Sequence, residues 1–172
     1  AVTGSGNELD NTLDGSQNTA ANVLAGGAGN DTYILGAGDS ISEAADGGID
    51  TVASSVTVDI AAFANVENVT LLGTSAISAI GNSGTNTLDG SQNSAANILS
   101  GGGGDDTYIV GANDVVVEQA GDGIDGVIAS VDYTLGDNVE NLTLLQGGRG
   151  TGNALNNVIT GNANLANVLD GG

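Results

Sequence analysis

The sequence predicts an all-β protein: a parallel β-roll or β-helix solenoid of short strands joined by glycine–aspartate turns. Three observations carry this expectation. The chain repeats itself at long range: "LDGSQNTAANVL" at 13–24 returns as "LDGSQNSAANIL" at 88–99, with two differences. Such self-similarity is the signature of a stacked, quasi-one-dimensional architecture. Inside each long unit the apolar residues come in twos and threes, too short for helices but long enough for minimal strands. Thirty glycines complete the pattern, since each costs about 1 kcal/mol in a helix interior.

Along the chain, Leu13 opens the first unit and Val23-Leu24 follow 10 residues on. From Leu24 to Tyr33 is 9 residues, and from Leu99 to Tyr108 is 9 again. Tyr33-Ile34-Leu35, Ile98-Leu99, Tyr108-Ile109-Val110, Val158-Ile159 and Val168-Leu169 are the other short apolar runs, with Gly, Asn and Asp between them. Val, Ile, Thr and Tyr favour strands, while Gly, Asn and Asp favour turns. Longer strands are expected at 51–58 ("TVASSVTV") and 69–72, with counterparts at 127–135 and 142–145. In the first of these, alternation puts Val52, Ser54, Val56 and Val58 on one face. Two strands and two turns make a coil of about 18 residues, hence about nine coils, stacked about 4.8 Å apart. The Leu, Ile, Val and Tyr of each triplet are expected to face inward. One repeat array over 1–172 results, with long units at 13–87 and 88–160 and a partial third copy at 161–172. "NVENVTLL" at 65–72 and "NVENLTLL" at 138–145 are matched parts of the two units.

The charge balance is extreme: 21 acidic residues, one basic residue (Arg149), no His, and a net charge of −20. Nucleic acid and anionic membrane surfaces require clustered Lys and Arg, so both are excluded as partners. No apolar run is long enough to span a bilayer. The absence of Cys removes disulfides and thiolate metal sites. Acidity of this kind points to cations or to solubility.

The sharpest motif is "GGAGNDTYI" at 26–34, copied as "GGGGDDTYI" at 101–109. Both fit the nonapeptide G-G-x-G-x-D-x-U-x, with Tyr33 and Tyr108 at the large apolar position. Ca²⁺ takes 6–8 oxygen ligands, more than one turn supplies, so a second turn about one coil later is needed. Asp50 follows Asp31 by 19 residues, and Asp125 follows Asp106 by 19. On these residues the chain resembles the RTX (repeat-in-toxin, haemolysin-type calcium-binding) family, strongly at 22–35 and 97–110 and in degenerate form over most of its length. The resemblance implies parallel β-rolls with several Ca²⁺ ions held between turns. Carried over residue by residue, it implies carbonyls of Gly27 and Gly29 with Asp31, then carbonyls of Ala45 and Gly47 with Asp50. In the second copy it implies Gly102, Gly104 and Asp106 with Ala120, Asp122 and Asp125. "ADGGID" and "AGDGID" begin with Ala rather than Gly, which weakens the match of those carbonyls.

The opposite edge offers a weaker ladder: Asn22 to Asp39 and Asn97 to Asp114, each 17 residues apart, with one charge fewer per pair. Asp39 and Asp114 are therefore candidate ligands of lower affinity. Glu43 and Glu118, just past the Ile41 and Val116 strands, could reach an ion or face water, with water favoured. Asn11, Asn22, Asn86, Asn97, Asn157 and Asn167 are expected to be structural, with identical amides laddering between coils. The three tyrosines are expected in the core or at its rim, and Arg149 in a solvated loop.

Few large apolar residues per coil cover only part of the ordering entropy, and packed carboxylates repel. The metal-free chain is accordingly expected to be loosely folded in its acidic coils, with metal binding acting as folding energy. The expected function is a non-catalytic, calcium-dependent structural module. The resemblance implies export from a Gram-negative bacterium through a one-step (type I) secretion channel, and folding outside the cell or at its surface. The chain stops at "LDGG" in mid-repeat, which suggests a segment of a longer parent with open coil ends able to self-associate. The alternative is an adhesin segment that binds a glycan or a partner protein. A regular ladder of exposed Thr would favour that alternative, and Thr51, Thr57, Thr70 and Thr74 are spaced irregularly. An enzyme is not expected: without His, Lys or Cys, no Ser–His or Cys–His nucleophile exists.

Overall fold

The computed structural model describes residues 2–172. Short runs of β-favouring residues, cut every few positions by Gly, Asn or Asp, produce strands of two to four residues. In chain order they begin β1 (Thr3–Ser5), β2 (Thr12–Asp14), β3 (Val23–Ala25), β4 (Thr32–Ile34) and β5 (Ser40–Ile41). Next come β6 (Thr51–Ser54), β7 (Val58–Asp59), β8 (Asn68–Leu71), β9 (Ser78–Ile80) and β10 (Thr87–Asp89). They continue with β11 (Ile98–Ser100), β12 (Thr107–Val110), β13 (Val115–Val116), β14 (Gly126–Ala129) and β15 (Tyr133–Thr134). The last are β16 (Asn141–Leu144), β17 (Gly148–Thr151), β18 (Val158–Thr160) and β19 (Asn167–Asp170). No helix of the described residues is long and apolar enough to cross a membrane.

The even-numbered strands form one nine-stranded parallel sheet in chain order, β2 to β18. The odd-numbered strands face it as three separate parallel sheets, β1-β3-β5, β7-β9-β11-β13 and β15-β17-β19. The molecule is thus the expected all-β parallel solenoid, although its second face is interrupted after β5 and after β13. The step between paired residues ranges from 15 (Val127 to Leu142) to 21 (Val58 to Ala79). The long repeat is four coils: β2, β4, β6 and β8 correspond to β10, β12, β14 and β16.

Only the central residue of each three-residue strand points inward, because side chains alternate across a strand. Leu13, Tyr33, Val52, Val69, Leu88, Tyr108, Val127 and Leu142 stack as one buried column on the nine-stranded sheet. Leu24, Val58, Ala79, Leu99 and Val116 oppose it. The residues directly beside these do not join them, contrary to expectation: Val23 is 40% exposed and Ile98 is 50% exposed, whereas Val110, two positions past Tyr108, is buried. On β17 the inward residue is glycine, and a side chain has little room there: a Cβ on Gly150 would stand 3.0 Å from Leu142 Cδ2 and 3.2 Å from Ile159 Cγ2.

Three further expectations are corrected. The stretches 51–58 and 127–135 are each two strands around a turn, not one strand. At the first turn Ser54 Oγ donates to the Val56 carbonyl (2.8 Å) and accepts the Val56 N–H (3.2 Å), a local hydrogen-bond pattern that competes with continued pairing. Val56 is therefore exposed while Val58 is buried. Arg149 lies in β17, not in a loop, and pairs with Asp170 at 3.1 Å between half-exposed side chains. Thr57, Thr70 and Thr74 are irregularly placed as expected, but Thr51 belongs to a ladder of other threonines: Thr12, Thr32, Thr51, Thr87 and Thr107 occupy one outward column, interrupted by Asn68. Unequal coil lengths hide this alignment in the sequence.

Candidate functional site

One edge of the solenoid, where each odd strand passes to the next even strand, carries a column of oxygen-bearing side chains. Read coil by coil it runs Asn11, Asp31, Asp50, Glu67, Asn86, Asp106, Asp125, Glu140, Asn157. Within each acidic group a backbone N–H donates to the carboxylate one coil further on. The Asn11 N–H donates to Asp31 Oδ1 (2.7 Å), the Asp31 N–H to Asp50 Oδ1 (2.8 Å) and the Asp50 N–H to Glu67 Oε2 (2.8 Å). The second group repeats this: Asn86 to Asp106 (2.7 Å), Asp106 to Asp125 (2.8 Å), Asp125 to Glu140 (2.8 Å). The asparagines do not ladder onto one another as expected. Asn11, Asn86 and Asn157 cap their own turns, accepting the N–H of Asn7, Asn82 and Asn153 at 2.7 Å each. Neutral coils thereby separate two groups of three like charges.

The 19-residue spacing does bring Asp31 beside Asp50 and Asp106 beside Asp125. All four are at most 2% exposed. Asp31 Oδ2, Asp50 Oδ2, Asp106 Oδ2 and Glu43 Oε2 are buried without a hydrogen-bond partner. An unpartnered buried carboxylate oxygen is costly, and a cation or a proton relieves that cost. Gly27 (φ 107°), Gly29 (φ 102°), Gly102 (φ 95°) and Gly104 (φ 104°) adopt left-handed conformations that only glycine enters readily. This aims carbonyls across the junction: the Gly29 oxygen lies 2.0 Å from where a Gly48 Cβ would be, and the Gly104 oxygen 2.0 Å from a Gly123 Cβ. The Gly47 and Asp122 carbonyls face back and accept the N–H of Gly29 and Gly104, both at 2.7 Å. Ala45 and Ala120 are exposed.

Asp39 and Asp114 are arranged differently. Asp39 accepts the Asn22 N–H (2.8 Å), Asn22 Nδ2 (2.9 Å) and the Gly36 N–H (2.8 Å). Asp114 accepts the matching three from Asn97 and Gly111 at 2.8, 2.9 and 2.8 Å. Each is a turn cap with both carboxylate oxygens accepting N–H donors. Glu43 and Glu118 do not face water as favoured. Glu118 is 8% exposed, and each glutamate accepts from a buried tyrosine hydroxyl, Tyr33 to Glu43 and Tyr108 to Glu118. The sequence reading also missed Glu67 and Glu140. Their signal was the repeated "NVEN", whose partners lie 17 and 15 residues upstream.

Among the described residues no three His, Cys, Asp or Glu side chains form a ready metal-binding cluster. Any cation here needs backbone carbonyls as well as carboxylates. The donor set fits a hard cation: every donor is oxygen, several are buried and unpartnered, and glycine turns aim further oxygens across the junction.

Burial pushes the Asp50 carboxyl up to about 6, helped by Glu43, Asp31 and Glu67 and opposed by the Asp31 N–H. Burial likewise pushes Asp106 up to about 7, helped by Asp125, Glu118 and Asp105 and opposed by the Asn86 N–H. Asp125 and Glu118 are raised for the same first reason. Asp50 and Asp106 keep their protons longer in the folded chain, so their contribution to stability is full below their ordinary value of 3.8 and is lost as pH rises through about 6–7. Exposed Asp14, held down by Ser16 and Gln17, acts in the opposite sense only below its ordinary value of 3.8. The metal-free protein is therefore expected to melt at a higher temperature at about pH 4.5 than at about pH 8. Melting curves in EDTA across this range check it, and a flat or rising profile contradicts it.

Comparison with protein-family models, with curated proteins and with solved structures found no match to this chain.

Proposed function

We propose that this chain is a non-catalytic calcium-binding structural module of the RTX type, part of an exported or cell-surface bacterial protein that folds where calcium is plentiful. The observation that carries the reading is the set of buried, unpartnered carboxylate oxygens at Asp31, Asp50 and Asp106, with the glycine turns beside Asp31 and Asp106 aiming carbonyls at the next coil. Ca²⁺ suits such a site better than Mg²⁺. Six to eight oxygens, many of them backbone carbonyls in uneven geometry, match its flexible shell, whereas Mg²⁺ demands a near-ideal octahedron. Asp31 with Asp50, and Asp106 with Asp125, would hold one ion each, joined by carbonyls of Gly27, Gly29, Gly102 and Gly104. Bound calcium would neutralise like charges on adjacent rungs and tie those rungs together. Asp39 and Asp114 are left out, because their oxygens already accept N–H donors.

No general acid–base or nucleophilic arrangement competes with this reading. The chain has no His, Lys or Cys, and the buried acids are consumed by the ladder. A calcium-dependent fold also suits export, since low intracellular calcium would keep the chain unfolded for secretion. Calorimetric titration with CaCl₂ tests the reading. Two ions per chain are expected, with Asp50→Asn and Asp125→Asn each losing one; absence of binding to the wild-type chain refutes it.

One observation favours a second reading, in which the module also presents a ligand-binding face. The outward threonine column on the nine-stranded sheet offers regularly spaced hydroxyls of the kind a flat glycan surface would meet. Retention on insoluble polysaccharide, abolished by Thr→Val changes at Thr51 and Thr87, would support it.

A further inference from the structure

Each acidic junction contains a glutamate to which the nonapeptide pattern gives no part. Glu43 and Glu118 occupy matching places in the two long units, and both turn inward. Glu43 Oε1 accepts the Gly26 N–H at 2.7 Å and the Tyr33 hydroxyl. Glu118 Oε1 accepts the Gly101 N–H at 3.1 Å and the Tyr108 hydroxyl. The same two N–H groups also donate to the tyrosine oxygens, at 2.7 and 2.6 Å. One oxygen of each glutamate is thereby fixed by a buried tyrosine.

At the first junction the other oxygen, Glu43 Oε2, is buried and unpartnered, as are Asp31 Oδ2 and Asp50 Oδ2 on side chains that are 1% exposed. Gly47 marks the space it faces. Gly47 is buried and is not one of the left-handed glycines, so room rather than backbone freedom explains it. A Cβ there would stand 2.9 Å from Glu43 Oε2, 3.1 Å from the Gly27 carbonyl oxygen and 3.2 Å from the Ala44 carbonyl oxygen. Three oxygens thus bound one small volume beside two aspartates.

We infer that Glu43 is a cation ligand of the first junction, offering its second oxygen beside the paired aspartates while Tyr33 holds its first, and that Glu118, held in the same way by Tyr108, is its weaker counterpart at the second. The inference rests on the reading of the junctions as calcium sites. The two copies differ in detail: Asp122 stands where Gly47 stands and brings a further carboxylate, and Glu118 Oε2 also accepts the Gln119 N–H at 3.3 Å. The second junction therefore depends less on its glutamate than the first.

Glu43→Gln separates a ligand from a structural acceptor. Glutamine keeps an oxygen for the Gly26 N–H and the Tyr33 hydroxyl, and replaces the unpartnered second oxygen with a neutral NH₂ group. The metal-free fold is thus retained while a charged ligand is lost. Calorimetric titration of the full chain with CaCl₂ is expected to show one ion bound at least tenfold more weakly in E43Q, the other unchanged, with a melting temperature in EDTA no lower than wild type. If E43Q binds both ions with wild-type affinity while Asp50→Asn loses one, the glutamate assignment fails and the calcium reading stands. If the wild-type chain binds no Ca²⁺, the reading fails and takes this inference with it. Should E43Q not fold, E118Q carries the same test at the second junction, with a smaller expected loss.

Discussion

Transfer of the protein from millimolar Ca²⁺ to EDTA at neutral pH is expected to lower its melting temperature by at least about 15 °C. A site with free Ca²⁺ at about 1,000 times its Kd contributes about 4 kcal/mol. Two sites contribute about 8 kcal/mol, against a typical total of about 5–15 kcal/mol. For a chain of this size each kcal/mol moves the melting temperature by about 2–4 °C. The structure gives reasons for such dependence. Each coil buries only a few large apolar side chains, and Asp31, Asp50 and Glu67 sit on consecutive rungs of one edge, as do Asp106, Asp125 and Glu140. With one basic residue in the whole chain, little else can neutralise them. Because each coil touches only its neighbours, loosening one junction weakens the stack on both sides. Circular dichroism melts in CaCl₂, in MgCl₂ and in EDTA make the measurement. Equal melting temperatures in all three would remove divalent cations from the account of stability.

Leu99→Ala is expected to cost about 2–5 kcal/mol, whereas Ile98→Ala, one residue away in the same strand, should stay within about 0.5 kcal/mol. Leu99 is fully buried between the two faces, stacked between Ala79 and Val116, while Ile98 is half exposed on the outer surface. The cavity left by Leu99 has little chance to collapse, because parallel pairing on both sides holds β11 in register. Denaturant melts of the two variants in saturating Ca²⁺ provide the comparison. Similar losses in both would mean that the strand register described here is wrong, since a slip of one residue exchanges the two faces.

Particular residues show what could be read in advance. The spacing of Leu24 and Tyr33, repeated at Leu99 and Tyr108, was enough for short strands and a stacked coil. The 19-residue step from Asp31 to Asp50 was enough to place the two carboxylates on neighbouring rungs. Both are local quantities: a coil of nearly fixed length returns the chain to the same edge, so matched spacing becomes spatial adjacency. Glu67 was harder to place, because its coil is shorter and its step from Asp50 is 17 residues rather than 19. The threonine column was hidden for the same reason.

The sequence by itself determined the parallel solenoid, the pairing of Asp31 with Asp50 and of Asp106 with Asp125, and the glycine–aspartate turns that carry them. Periodicity and backbone sterics are properties of neighbours along the chain. Only the tertiary structure decided that Glu43 and Glu118 turn inward onto buried tyrosines, that Asp39 and Asp114 are spent as turn caps, and that Glu67 and Glu140 complete the acidic column. Those outcomes depend on which N–H and hydroxyl groups arrive from other coils to compete with water for each carboxylate oxygen, and that competition is settled only when the coils are stacked.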